Sequence, residues 1–114
     1  MFGGGVRINH IGTIVVNPKA RIGEWCDIHI GVNIGQDVYG NVPIIGNDVY
    51  IGPGAKIFGN IEIGNNTMIG ANAVVNKSFS DNVVLAGVPA KVMSEKRNPL
   101  ARTEKYKNIF VSDI

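Results

Sequence analysis

The chain has 114 residues, with 11 Lys and Arg against 9 Asp and Glu, and 15 glycines beside 45% hydrophobic residues. One domain is expected at this length, and a net charge of +2 is too small to point to nucleic acid. No apolar run approaches the roughly 18 residues of a membrane span, the start Met1-Phe2-Gly3-Gly4-Gly5 lacks the order of a signal peptide, and the single Cys26 permits no internal disulfide. A soluble cytoplasmic domain is the expectation.

Glycine-rich disordered or collagen-like chains are poor in β-branched residues, yet this one has 16 Ile and 14 Val. Taken from the N-terminus, hexads begin at Gly4 and His10, with Ile8 and Ile14 two positions before an inward slot. An aliphatic residue then returns every six positions, at Val16, Ile22, Ile28 and Ile34. The next step, to Ile45, is eleven, so the segment from Gln36 to Ile44 holds five extra residues and is expected to bulge as a loop. The period resumes through Ile51, Ile57, Ile63, Ile69 and Val75. The register is then lost. Residues 81–93 are expected to return along the end of the last coil, and residues 94–114 to form a polar tail, flexible or docked on a partner.

Six is neither the 3.6 of a helix nor the 2 of a strand in a meander. It fits short strands joined by tight turns, an all-β parallel β-helix solenoid of about four coils with three hexads to a coil. Glycine follows the aliphatic residue at Gly23, Gly35, Gly46, Gly52, Gly64 and Gly70, where it is expected to serve the corner conformation. A small residue usually lies two before the aliphatic, as at Ala20, Cys26, Ala55 and Ala73, so that a narrow prism is not overfilled. Trp25, Tyr50 and Phe58 fall outside the inward slots, and flat prism faces carrying them favour a homo-oligomer.

The repeat, with the segments HIGTIVVNPKARIGEWCDIHIGVNIG (10–35), IIGNDVYIGPGAKIFGNIEIGNNTMIGANAVV (44–75) and AGVPAKVM (86–93), resembles the hexapeptide-repeat acyltransferases, and within them the serine acetyltransferase-like branch. The resemblance implies a left-handed β-helix over residues 1–93, a homotrimer, and acetyl-coenzyme A bound as co-substrate in grooves between neighbouring prisms. It also implies acetyl transfer to a hydroxyl. Two departures stand out. Serine-acetylating members place aspartate before the histidine, where this chain has Asn9, and end their loop in Arg-His-Pro, where it has Asn41-Val42-Pro43. A second histidine and an acceptor-pairing arginine are therefore missing from the expected places. A sugar or surface-polysaccharide precursor is the expected acceptor, with serine as the alternative and a non-catalytic trimeric scaffold as the rival from another class.

Acetyl transfer to an alcohol needs a base near neutrality and donors for the developing oxyanion. Imidazole suits the first role, and the histidines are His10 and His29. His10 falls in an inward slot of the extended register, where an unpartnered ring would be costly; the resemblance instead makes it the general base at a corner facing the groove. His29 stands where glycine usually follows the aliphatic, and is expected to point outward and line the acceptor pocket or to be a surface residue. Asn9 and Asn33 are candidate acceptor contacts, as are Asp37 and Tyr39 of the loop. For the donor, backbone amides around Gly52, Gly54, Gly70 and Ala71 are expected along the pantetheine arm. Lys77 and Lys91 are expected near the coenzyme A phosphates. Cys26 is expected to be core packing, and two histidines 19 apart offer no metal-ligand spacing.

Overall fold

The computed structural model describes residues 2–8, 13–96, 98 and 99. They form a left-handed parallel β-helix of short strands: β1 (Arg7–Ile8), β2 (Val15–Val16), β3 (Arg21–Ile22), β4 (Asp27–Ile28), β5 (Asn33–Gly35), β6 (Ile44–Ile45), β7 (Tyr50–Ile51), β8 (Lys56–Phe58), β9 (Glu62–Ile63), β10 (Met68–Ile69), β11 (Val74–Val75), β12 (Val84–Ala86) and β13 (Lys91–Ser94). Every third strand stacks into the same sheet. The first face is β1-β4-β7-β10-β12-β13, the second β2-β5-β8-β11, and the third β3-β6-β9. All pairings are parallel except β12 with β13.

The aliphatic period is the core. Ile28, Ile34, Ile51, Ile57, Ile69 and Val75 are completely buried, and Ile22, Ile45 and Ile63 nearly so. The small slot packs between them through Ala20, Cys26, Val32, Val49, Ala55, Thr67 and Ala73. A strand of two residues buries little alone, so each hexad is held by the coils above and below it.

Both ends depart from the expected register. Ile8 pairs with Ile28, and Phe2 with Ile22. The column register therefore runs Phe2, Ile8, Val16, with a step of eight, so that Ile8 is the first-coil equivalent of Ile28. At the other end the coil does not stop at Val75. Phe79 bridges to Ile63, and Leu85 stacks on Ile69 in a parallel pairing and is completely buried. Only β13 reverses, antiparallel to β12. Asn98 is 2% exposed, its N–H donating to Asn66 O at 2.7 Å and its Nδ2 to Asp48 O at 2.9 Å.

The corner glycines have a different reason from the one expected. Positive φ falls three positions before a column residue, at Trp25, Gly31, Asp48, Gly54, Asn66, Asn72 and Asn82. Asparagine and aspartate tolerate that conformation better than other side-chain-bearing residues. The glycine after the aliphatic is required by crowding instead. A Cβ on Gly52 would lie 2.8 Å from both Ala71 N and Ile69 O, and one on Gly64 would strike Asp81 in the next coil.

Along the edge where the third face turns into the first, side chains bridge the coils. Asn47 Oδ1 accepts from Glu24 N at 2.8 Å, Asn65 Oδ1 from Asn47 N at 2.8 Å, and Asp81 Oδ1 from Asn65 N at 2.7 Å. Replacing Asn65 with alanine removes the middle rung while leaving the aliphatic column untouched. Denaturant unfolding is expected to show a loss of about 1 kcal/mol, the net worth of one such bond near solvent.

Candidate active site

The edge between the first and second faces gathers five of the candidate residues, His29, Gly52, Gly54, Gly70 and Ala71. Its corners are the stretches 29–32, 52–55, 70–73 and 86–89, each following a strand of the first face. His29, Gly31, Gly52, Gly54, Gly70 and Ala71 thus share one edge. Asn9 and His10 lie outside the described residues. Their flanks are placed, however: Ile8 pairs with Ile28, and Thr13 O accepts from Gly31 N at 2.7 Å.

His29 is half-buried on the first face, one coil below Tyr50, with ring centroids 4.7 Å apart and planes tilted by 50°. Its Nδ1 lies 3.0 Å from Ile51 O. A carbonyl only accepts, so Nδ1 carries a hydrogen and donates it. Above His29 the equivalent register positions are Gly52, Gly70 and Ala86, of which Gly52 is buried and the other two half-buried. Three of the amides expected along the pantetheine arm are engaged between coils. Gly52 N donates to Ile69 O at 2.8 Å, Gly54 N to Ile30 O at 2.9 Å and Gly70 N to Leu85 O at 2.8 Å. The coils use these three amides in holding each other.

Lys91 pairs with Ala86 and stands at the top of this row. Lys77 does not: it lies on the edge between the second and third faces, its ammonium 5.5 Å from the Phe79 ring centroid. Sequence reasoning missed Lys56, whose Nζ donates to Gly31 O at 2.6 Å and Gly54 O at 3.0 Å, clamping two successive corners of the candidate edge. The partners are 25 and 2 residues away, and only the stacking of coils brings them together.

Asn33 is exposed on the second face between Val15 and Lys56. The loop leaves from the far end of β5, at the edge that also carries Lys77. Asp37 organises it. Its Oδ1 accepts from Tyr39 N at 2.8 Å and Asn41 N at 3.0 Å, and its Oδ2 from Asn41 Nδ2 at 3.1 Å. These donors, the Asn41 amide foremost, hold the carboxyl below its ordinary 3.8 despite the opposing effect of desolvation. Tyr39 is thereby displayed at the loop tip, 86% exposed, while Val42 packs against the core and Pro43 is buried. Because the folded pKa is depressed, the loop order is present above the ordinary carboxylate range and is lost as pH falls through the lowered value. Asp37→Ala should speed limited proteolysis of the Val38–Gly40 stretch relative to wild type at neutral pH.

The aromatics expected on the outer faces are half-covered by their own chain: Trp25 lies over Gly5, Tyr50 against His29 and Phe58 opposite Gly35. More fully exposed apolar side chains are Ile8, Val15, Ile44, Val88 and Met93. A concavity of about 580 Å³, lined by Ile44, Glu62, Phe79 and Asp81 among others, lies on the third face, away from both the histidine edge and the loop tip. No helix in the described part of the chain is long and apolar enough to cross a membrane.

A left-handed parallel β-helix with a six-residue aliphatic period and a glycine-bearing edge defines a hexapeptide-repeat solenoid. Residues 43–77 match the family model for the bacterial transferase hexapeptide, six repeats. The serine acetyltransferase of Mycobacterium tuberculosis is 37% identical over 100 residues, covering 85% of this chain and 44% of that protein. The crystal structure of the Brucella abortus serine acetyltransferase in complex with coenzyme A is 38% identical, with a TM-score of 0.80 over 83% of this chain and 39% of that one. The Neisseria gonorrhoeae serine acetyltransferase in complex with serine is 36% identical, with a TM-score of 0.77 over 82% of this chain and 39% of that one. The chain belongs to the hexapeptide-repeat transferases, in their serine acetyltransferase-like branch. It spans less than half the length of the curated relatives it matches.

Proposed function

We propose that the protein transfers an acetyl group from acetyl-coenzyme A to the hydroxyl of a small acceptor, and that serine is that acceptor. The observation that carries the reading is the gathering of His29, Gly31, Gly52, Gly54 and Gly70 on one edge, next to the strand that ends two residues before His10. The likeness to serine acetyltransferases, one of them in complex with coenzyme A and another with serine, supports donor and acceptor.

In this reading the His10 imidazole takes the hydroxyl proton as the acceptor oxygen attacks the thioester carbonyl. The tetrahedral intermediate collapses with cleavage of the carbon–sulfur bond. The thiolate of coenzyme A leaves and recovers the proton from the imidazolium, so no group on the protein is consumed. The edge above His29 is assigned to the extended pantetheine arm, and Lys91 at its upper end suits a phosphate. Asn9, Asn33, Asp37 and Tyr39 are assigned to the acceptor side. Asp37 and Tyr39 stand at a different edge from His29, so a homotrimer, in which a neighbour's loop approaches the histidine edge, is part of the proposal.

One observation favours a sugar instead. The loop offers Asn41 and a half-buried Val42 where serine-acetylating relatives are expected to place arginine and histidine. Coenzyme A release measured with L-serine and with amino- and deoxy-sugars decides the matter. Release with serine is expected; release with sugars alone would replace serine as acceptor, and no release with any hydroxyl compound would leave the scaffold reading.

A further inference from the structure

The transfer reading leaves Lys56 without a role, although its ammonium is tied into the candidate edge. Lys56 opens β8 on the second face, in register with Asn33 below and Val74 above. Its Nζ donates to Gly31 O at 2.6 Å and to Gly54 O at 3.0 Å. The side chain thus crosses from its own face onto the corner of its own coil and that of the coil beneath. Bonds from an ammonium to carbonyl oxygens are charge-assisted and stronger than neutral ones.

The two corners it joins carry no side chain of their own. Gly31 and Gly54 both have φ of 77°, and a Cβ on Gly31 would lie 3.4 Å from Gly54 N and Cα, so the corners stack closely. Glycine has the widest backbone freedom of any residue, and such a corner needs an outside tie to stay put. A run of backbone bonds passes through both corners. Asn72 N donates to Pro53 O at 2.9 Å, Gly54 N to Ile30 O at 2.9 Å, and Gly31 N to Thr13 O at 2.7 Å. Pro53 O and Gly54 N belong to one peptide unit, as do Ile30 O and Gly31 N, so the three bonds are continuous. The run ends at Thr13, three residues after His10, and passes two residues from His29.

We propose that Lys56 is a positioning residue of the transfer site. By tying Gly31 to Gly54 it fixes the run of bonds that ends at Thr13, and with it the anchor of the segment that carries His10. This rests on the acetyltransferase reading. Lys56 touches no reacting atom and acts through Gly31 and Thr13.

The test compares wild type, Lys56→Met and Asn65→Ala. The last loosens the opposite edge, between the third and first faces, and serves as the control for a general loss of rigidity. Coenzyme A release is measured with whichever of L-serine and the amino- and deoxy-sugars supports it, and amide hydrogen exchange is followed over residues 29–34 and 52–57. Lys56→Met is expected to lower kcat about tenfold or more, as slight misplacement of a catalytic group does. KM for acetyl-coenzyme A should stay within about twofold, and exchange at Gly31 and Gly54 should rise about tenfold, as loss of a charged hydrogen bond does. Asn65→Ala should keep the wild-type kcat. Unchanged kcat, a loss confined to KM for acetyl-coenzyme A, an equal fall in Asn65→Ala, or unchanged exchange at Gly31 would each overturn the assignment. If Lys56→Met does not fold, Lys56→Gln is measured in its place against the same outcomes. A wild-type protein that releases no coenzyme A sinks the transfer reading itself. Exchange then decides the clamp alone: a rise at Gly31 and Gly54 in Lys56→Met supports it, and no rise overturns it.

Discussion

Replacing His10 with alanine is expected to lower acetyl transfer by about 10²–10⁴-fold, the usual worth of a positioned general base. The loss should fall mainly on kcat, because the imidazole acts on a proton in flight and does not anchor either substrate. The core column offers no reason for the fold to suffer. In the first coil it is Ile8 that pairs in register with the buried Ile28. Oligomeric state by light scattering and the unfolding midpoint should therefore match wild type while coenzyme A release collapses. Transfer at the wild-type rate would remove His10 from the mechanism and turn attention to His29, whose ring is held by the contact of Nδ1 with Ile51 O.

The second large effect concerns the scaffold. Ile57→Ala is expected to destabilise the protein by about 2–5 kcal/mol, as truncation of a fully buried isoleucine does. Ile57 is completely buried on the second face between Ile34 and Val75, with which it shares strand register. Two coil interfaces meet at its side chain, and in a solenoid each repeat depends on its immediate neighbours. A cavity there loosens both at once. Val38→Ala, at a position 92% exposed on the loop tip, should change stability by less than about 0.5 kcal/mol. A comparable loss in both variants, read by denaturant unfolding, would mean that the column does not carry the stability.

Several features were legible from residue order because they repeat. Ile22 through Val75 fall every six positions apart from the single longer step, and the prism buries each of them for the same reason. The breaks in period were harder to place. Between Ile8 and Val16 two residues are added, but Ile8, Ile14 and His10 fit either register when taken alone. After Val75 the next inward side chain is Phe79, only four residues on, which conceals that Leu85 still stacks on Ile69. The corner glycines were legible as a pattern but not in their cause, since the clash that forbids a Cβ at Gly52 comes from Ala71 and Ile69, a full coil away. For the candidate site, the histidines and the loop could be marked by residue type. Their distribution over two edges could not, because it depends on which end of β5 each segment leaves from.

The sequence by itself determined the class of fold and the identity of its core. A local period of six sets where side chains turn inward, and local geometry needs no distant partner. The tertiary structure decided everything that depends on stacking. It set the Asn47–Asn65–Asp81 ladder, the Lys56 clamp, the commitment of the Gly52 and Gly70 amides to neighbouring coils, and the meeting of Arg7 with Asp27. Those contacts join residues about one coil apart, and the extra residues at 9–13 and 36–44 change how many positions a coil contains. Composition and spacing cannot fix such a register; only the closing of each coil on the one beneath it does.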